Sequence, residues 1–167
     1  MHVVKSDPTL SKAETYREIS VQLTGLFSGE RNGLANASNL CALLYQMLPD
    51  VNWVGFYFLR DGELVLGPFQ GKVACVRIPL GRGVCGTAAQ SKEILLVPDV
   101  NECPGHIACD AASRSEIVLP LVKGGQLLGV LDLDSPRLAR FDQHDRSGLA
   151  AAAEVLLQSS DLSYLAG

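Results

Sequence analysis

The sequence predicts an α+β domain, with a largely antiparallel central sheet flanked by helices, and three observations carry that expectation. Short aromatic and β-branched segments are joined by Asp61-Gly62 and Gly124-Gly125, residue pairs that close two-residue antiparallel hairpins. Apolar stripes at helical spacing occupy both ends of the chain. The order helix, helix, strands, short helix, strands, helix keeps the strands together, so a single sheet can be covered from its faces. With 167 residues, 47% of them hydrophobic and 19% charged, residues 1–167 fit one domain with a sizeable core. No internal repeat, linker or low-complexity tract divides it.

Asp7-Pro8 predicts a helix start, with Asp as N-cap and Pro at the first helical position. Tyr16, Ile19, Leu23, Leu26 and Phe27 then recur at helical spacing to about Ser28. A polar break over 29–32 precedes a second helix over Leu34–Leu48. Its stripe is Leu34, Ala37, Cys41, Leu44 and Leu48, stopped by Pro49-Asp50. Such stripes suit the chain's own sheet or a second subunit, so a homodimer is one arrangement they allow.

From Val51 the character changes. VNWVGFYFL reads as a strand whose period of two places Trp53, Gly55 and Tyr57 on one face and Val54, Phe56 and Phe58 on the other. The turn at Asp61-Gly62 leads into a strand over Glu63–Leu66, and Cys75 opens another over Cys75–Ile78. Gly81-Arg82-Gly83 turns the chain into a short helix holding Cys85 and Gln90. Ile94–Val97 is a strand closed by Pro98-Asp99. The stretch Asp99–Ser115 has no periodicity, is rich in Ala and Ser, and reads as a working loop. Glu116–Lys123 and Gln126–Asp134 form a hairpin, with Gln126, Leu128, Val130, Asp132 and Asp134 expected on one face. A last helix runs from about Asp142 to Ser160, with Leu149, Ala153, Leu156 and Leu157 on its apolar side.

The net charge of -4 and pI near 5.3 argue against nucleic acid as the main partner, because no basic stripe offsets the acidic balance. No apolar run reaches the length of a membrane span, and MHVVKSDPTLSKAE lacks the apolar core of a signal peptide. The expected location is the cytoplasm. Five cysteines is an odd number, and structural disulfides are not expected in a chain of that compartment. Cys41, inside a helical stripe, reads as a buried small hydrophobe. Cys75, Cys85 and Cys109 each lie beside Gly or Ala in loop-like or element-edge surroundings.

Those three thiols, with Glu116, Asp132 and Asp134, are the candidate chemistry. A thiol attacks an electrophilic sulfur, and a second thiol resolves the product as a disulfide. Three thiols offer three pairs, and spacing does not choose among them. In GHIACDAAS the small residues let backbone approach a ligand closely, although a buried inert thiol would read the same way. Asp132 falls in register with the apolar Val130 and Leu128, where an unpaired charge is costly. It calls for a cationic or hydrogen-bonding partner such as an amino acid's ammonium. Cys103, His106 and Cys109 have the spacing C-x2-H-x2-C, but three loosely spaced ligands fall short of a structural zinc set. Walker, G-x-S-x-G, H-E-x-x-H and dinucleotide motifs are absent.

The segments NWVGFYF, GPFQGKVACVRIPLGRGVCGTA, GHIACDAASRSEIVLPL and GVLDLDS closely resemble the free methionine-(R)-sulfoxide reductases, which are single GAF-domain proteins. The likeness covers about Val51 to Asp145 and includes all three cysteines in their contexts. It implies a GAF-like fold and an oxidoreductase that reduces free methionine-(R)-sulfoxide with no bound cofactor and no metal. It implies Cys109 as the catalytic cysteine, Cys75 as its disulfide partner, and Cys85 as an auxiliary thiol. Glu116, Asp132 and Asp134 would bind the substrate, with Trp53 and Tyr57 as an aromatic wall for its methyl end. Thioredoxin would be the reductant. Cys103 departs from the family pattern and leaves the pairing under oxidation open. The competing class is a GAF sensor that binds a small ligand and whose cysteines are redox switches or inert.

Overall fold

Two tight hairpins set the sheet. Strand β1 (Trp53–Arg60) returns as β2 (Glu63–Gly71) through Asp61 and Gly62, whose positive φ angles of 50° and 81° are those of the turn that matches strand twist. Strand β5 (Ser115–Lys123) returns as β6 (Gln126–Ser135) through Gly124 and Gly125 in the same way. The computed structural model describes residue 4, residues 6–103, residue 105 and residues 111–167. Among these, six strands form one antiparallel sheet in the order β3-β2-β1-β6-β5-β4, with β3 at Arg77–Pro79 and β4 at Leu95–Val97.

The helices divide the core in two. Helices α1 (Lys12–Leu26), α2 (Gly33–Met47) and α4 (Gln143–Ser159) cover one face. There Ile19, Leu23, Leu40 and Leu44 meet Val54, Phe56, Ile117 and Leu133. The helical stripes therefore pack on the chain's own sheet. The short α3 (Gly83–Ser91) lies over the other face, where Ile78, Val84 and Ala88 meet Tyr57, Val118 and Val130. The period of two in β1 holds: Trp53 and Tyr57 face this smaller core, and Val54, Phe56 and Phe58 face the larger.

Four expectations are corrected. Asp7 does not cap α1; its carboxylate accepts from the Thr9 amide (2.9 Å), and Ser11 is the N-cap. Ser11 and Glu14 form a capping box, which satisfies two backbone donors reciprocally and fixes the start four residues later. Leu34 lies outside the buried stripe of α2, 48% exposed in the helix's first turn. Cys75 precedes rather than opens a strand, since β3 begins at Arg77. Gln126 and Leu128 do not share the face of Val130. Leu121 pairs with Gly129 and Val122 with Leu127, so Leu128 is an extra residue that shifts the alternation by one. Leu128 joins the larger core while Leu127 and Val130 face the smaller.

Asp145 ties the helices together. Fully buried in the first turn of α4, it accepts from Tyr16 Oη (2.8 Å), Lys12 Nζ (2.5 Å), Arg140 (3.1 Å) and the Asp142 amide (2.9 Å). Replacing it by Ala leaves a buried Arg140 guanidinium without its anion, a loss of about 3–5 kcal/mol. Urea unfolding of Asp145→Ala is expected to show that loss; a midpoint close to wild type would mean the network carries little stability.

Candidate active site

The face of the sheet beneath α3 carries the expected acids because register aligns them in rows. Trp53 lies opposite Asp134, and Asp134 lies opposite Glu116 on the next strand. One row further in, Gly55 lies opposite Asp132, and Asp132 opposite Val118. Opposed residues on neighbouring strands share a face, so Glu116 and Asp134 stand side by side with Asp132 diagonal to them. Gly55 makes room for the aromatic wall: a Cβ there would overlap the Trp53 ring and lie 2.6 Å from Phe69 Cβ. The Trp53 ring stacks on Phe69 (5.4 Å between centroids) and on Tyr57 (5.9 Å). Its indole N–H donates to the Lys72 carbonyl (3.0 Å), and Tyr57 Oη donates to the Cys75 carbonyl (3.1 Å).

These groups line one cleft that opens to solvent. Trp53, Tyr57, Cys85, Glu116, Asp132 and Asp134 all line it, as do Arg82, Gly83 and Val84 at the start of α3, and Ser113. Arg82 and Ser113 were not anticipated. Arg82 stood only as part of a glycine turn, and the sole signal for Ser113 was its place in the aperiodic stretch. Cys75 is disulfide-bonded, whereas Cys41, Cys85 and Cys103 are free thiols. Cys41 is buried and donates to the Pro68 carbonyl (3.3 Å), consistent with a packing role. Cys103, half-buried, packs against the smaller core, and its thiol is pushed up by burial first and by the charge of Glu116 next. Cys109 lies outside the described residues, as does His106 of the C-x2-H-x2-C spacing.

Burial dominates the electrostatics. Glu116 and Asp132 are 5% and 6% exposed, in a neighbourhood of apolar side chains. Burial, with the charge of Asp134 added, pushes Glu116 up to about 8. Burial and then the charge of Glu116 push Asp132 well above the usual carboxylate range. The Cys85 thiol is pushed up by burial first and by both acids next, so it is a neutral donor; its Sγ donates to Glu116 Oε1 (3.8 Å). Asp132 Oδ1 is buried with no hydrogen-bond partner among the described residues. An acceptor in that condition is costly until a ligand donor or cation reaches it. The arrangement can therefore bind a small cation-bearing molecule between two acids and an aromatic wall.

The raised acid sets a pH dependence with a definite sign. Between about pH 4.5 and 8 the unfolded chain ionises Glu116 while the folded chain keeps its proton, so stability falls as pH rises through that window. Glu116→Gln removes this titration. Relative to wild type it is expected to gain on the order of 3 kcal/mol between pH 5 and pH 8, read from urea midpoints. Parallel pH profiles for the two proteins would contradict the raised value.

The family model for the GAF domain matches residues 31–158. The chain is 52% identical over 155 residues to the free methionine-R-sulfoxide reductase of Escherichia coli, spanning 91% of this chain and 94% of that protein. It is 43% identical over 164 residues to the free methionine-R-sulfoxide reductase of Saccharomyces cerevisiae, spanning 93% and 91%. Its fold matches the crystal structure of the free methionine-R-sulfoxide reductase from Neisseria meningitidis in complex with its substrate, with a TM-score of 0.92. That structure is 42% identical, and the match covers 99% of each chain.

Proposed function

The chain belongs to the GAF-domain family, in the group of the free methionine-R-sulfoxide reductases, and from that premise we propose that it reduces free methionine-(R)-sulfoxide to methionine with its own cysteines. The observation that carries the proposal is Asp132 Oδ1, without a hydrogen-bond partner among the described residues and buried beside Glu116 in a cleft with an aromatic wall. A substrate α-ammonium supplies the missing donor and the opposite charge. Trp53 and Tyr57 take the methyl end. A peptide-bound methionine has no ammonium to offer and would be a poor ligand.

In this reading the Cys109 thiolate attacks the sulfoxide sulfur, the sulfoxide oxygen takes a proton, and methionine leaves with Cys109 as a sulfenic acid. Glu116, which burial keeps protonated at neutral pH, or Asp134 beside it would supply it. The Cys75 thiol then attacks the sulfenic sulfur, water leaves, and a Cys75–Cys109 disulfide forms. That Cys75 is disulfide-bonded supports its role as a redox-active thiol. Thioredoxin reduces the disulfide by thiol exchange and supplies two electrons per turnover. The route calls on no resident cofactor or metal. Such a cycle fits the cytoplasm, where thiols are kept reduced; no helix among the described residues is long and apolar enough to cross a membrane. A homodimer would use surfaces other than the helical stripes, which the chain's own core covers.

Cys109→Ser is expected to abolish turnover even with dithiothreitol as reductant, and clear residual turnover would place the nucleophile elsewhere. Cys75→Ser should release about one methionine per chain and then stall with thioredoxin, because sulfenic acid formation needs only the first thiol. Sustained rates would make Cys85 or Cys103 the resolving thiol.

The acids are tested with a second substrate. Removing one partner of a charge-assisted contact costs about 1.5–3 kcal/mol, or about one to two decades in kcat/KM. Asp132→Asn should show that loss on free methionine sulfoxide, and N-acetylation of the substrate should reproduce it in wild type. Combining the two should cost little more than either alone. Equal wild-type rates on free and acetylated substrate would remove the ammonium site and favour a sensor that does not turn over this substrate.

A further inference from the structure

An ammonium needs acceptors, and two carboxylates provide them; it has no use for a thiol. Yet the third member of the cluster is Cys85, whose Sγ lies with Glu116 and Asp132 carboxylate oxygens so that all three atoms are within 4.8 Å of one another. All three residues are buried, each comes from a different element (α3, β5 and β6), and all line the cleft. We propose that Cys85, Glu116 and Asp132 form a binding site for a soft divalent cation, zinc or cadmium, which competes with the ammonium of a bound amino acid.

The donor set fits that ion class. Zinc binds thiolate sulfur at about 2.3 Å and carboxylate oxygen at about 2.0–2.2 Å, so tetrahedral ligands stand about 3.5 Å apart. The Cys85–Glu116 separation of 3.8 Å is already close to that. Three protein ligands leave a fourth position for a water or another ligand from the cleft they line. Magnesium and calcium prefer six or more oxygens, and a set with a thiol disfavours them. Independently of the cluster's composition, Asp132 Oδ1 has no donor among the described residues and Asp132 lines the same cleft, so a cation that enters finds an acceptor already desolvated. Binding converts the Cys85 S–H to thiolate and passes its proton to solvent. Where the cleft is the reductase site proposed above, the ion inhibits by raising the apparent KM.

The test uses the full chain in its Cys75 disulfide form, with Cys103→Ser to remove a second accessible thiol. Cadmium titration is read by the ultraviolet thiolate-to-metal absorption, and zinc binding by calorimetry. One equivalent per chain is expected, with methionine displacing it. Cys85→Ala should lose the absorption and weaken zinc at least tenfold, and Asp132→Asn should weaken zinc at least tenfold. Absence of the absorption in the parent, zinc affinity unchanged by Cys85→Ala, or failure of methionine to compete would each overturn the site. If Cys85→Ala does not fold, Asp132→Asn and methionine displacement decide the matter. Turnover of methionine sulfoxide with a chelator present separates the two ideas. Chelated activity without zinc binding sinks only the metal site, and zinc binding without chelated activity sinks only the reductase reading.

Discussion

Two carboxyl groups buried against apolar side chains are the constraint on which the rest of this molecule depends. Desolvating Glu116 and Asp132 is unfavourable and raises the proton affinity of both, with the charge of Asp134 adding to the rise at Glu116 and that of Glu116 adding to the rise at Asp132. The fold sustains this because both sit within the paired strands, Glu116 near the start of β5 and Asp132 in β6, where the backbone ladder sets the face they take. Above them α3 supplies a neutral thiol donor, and beside them Gly55 lets the Trp53 ring lie flat against the sheet.

A second buried acid shows what a purely structural solution looks like. Asp145 is as deeply buried, yet it receives a tyrosine hydroxyl, a lysine, an arginine and a backbone amide. Every demand of the charge is met within the chain, and the result links α1 to α4. Asp132 lies in an equally dry place with one oxygen unmet. The first acid stabilises the fold; the second leaves a deficit that only a ligand's donor or a cation removes. The division of the core follows the same logic. The larger core, under α1, α2 and α4, is made of apolar side chains and offsets the cost of the smaller one, where the acids are placed.

The GAF fold by itself assigns no chemistry, since one fold serves many functions through the residues set into it. What distinguishes this chain is the meeting, on one sheet face, of a thiol-bearing helix start, an acid row and an aromatic row. The same meeting explains why the cleft suits an amino acid's ammonium and also a soft cation: both are positive, and only the cation makes use of Cys85.

Much of this was legible in the sequence because it depends on local rules. Asp61-Gly62 and Gly124-Gly125 define hairpins through backbone dihedrals, and the period of two puts Trp53 with Tyr57 and Asp132 with Asp134 without reference to distant parts. Local rules fail where several compete or where the ladder is irregular. Asp7-Pro8 was a sound helix start, but the reciprocal bonds of Ser11 and Glu14 outweighed it. Leu128 was placed on the wrong face because a bulge shifts parity, and nothing in the composition of β6 marks it. Tertiary structure alone decided that Cys85 stands over Glu116, that Arg82 and Ser113 reach the cleft, and that Asp132 Oδ1 has no hydrogen-bond partner among the described residues. Each of these depends on how α3 and the loops lie across the sheet, a long-range packing outcome that no spacing along the chain encodes.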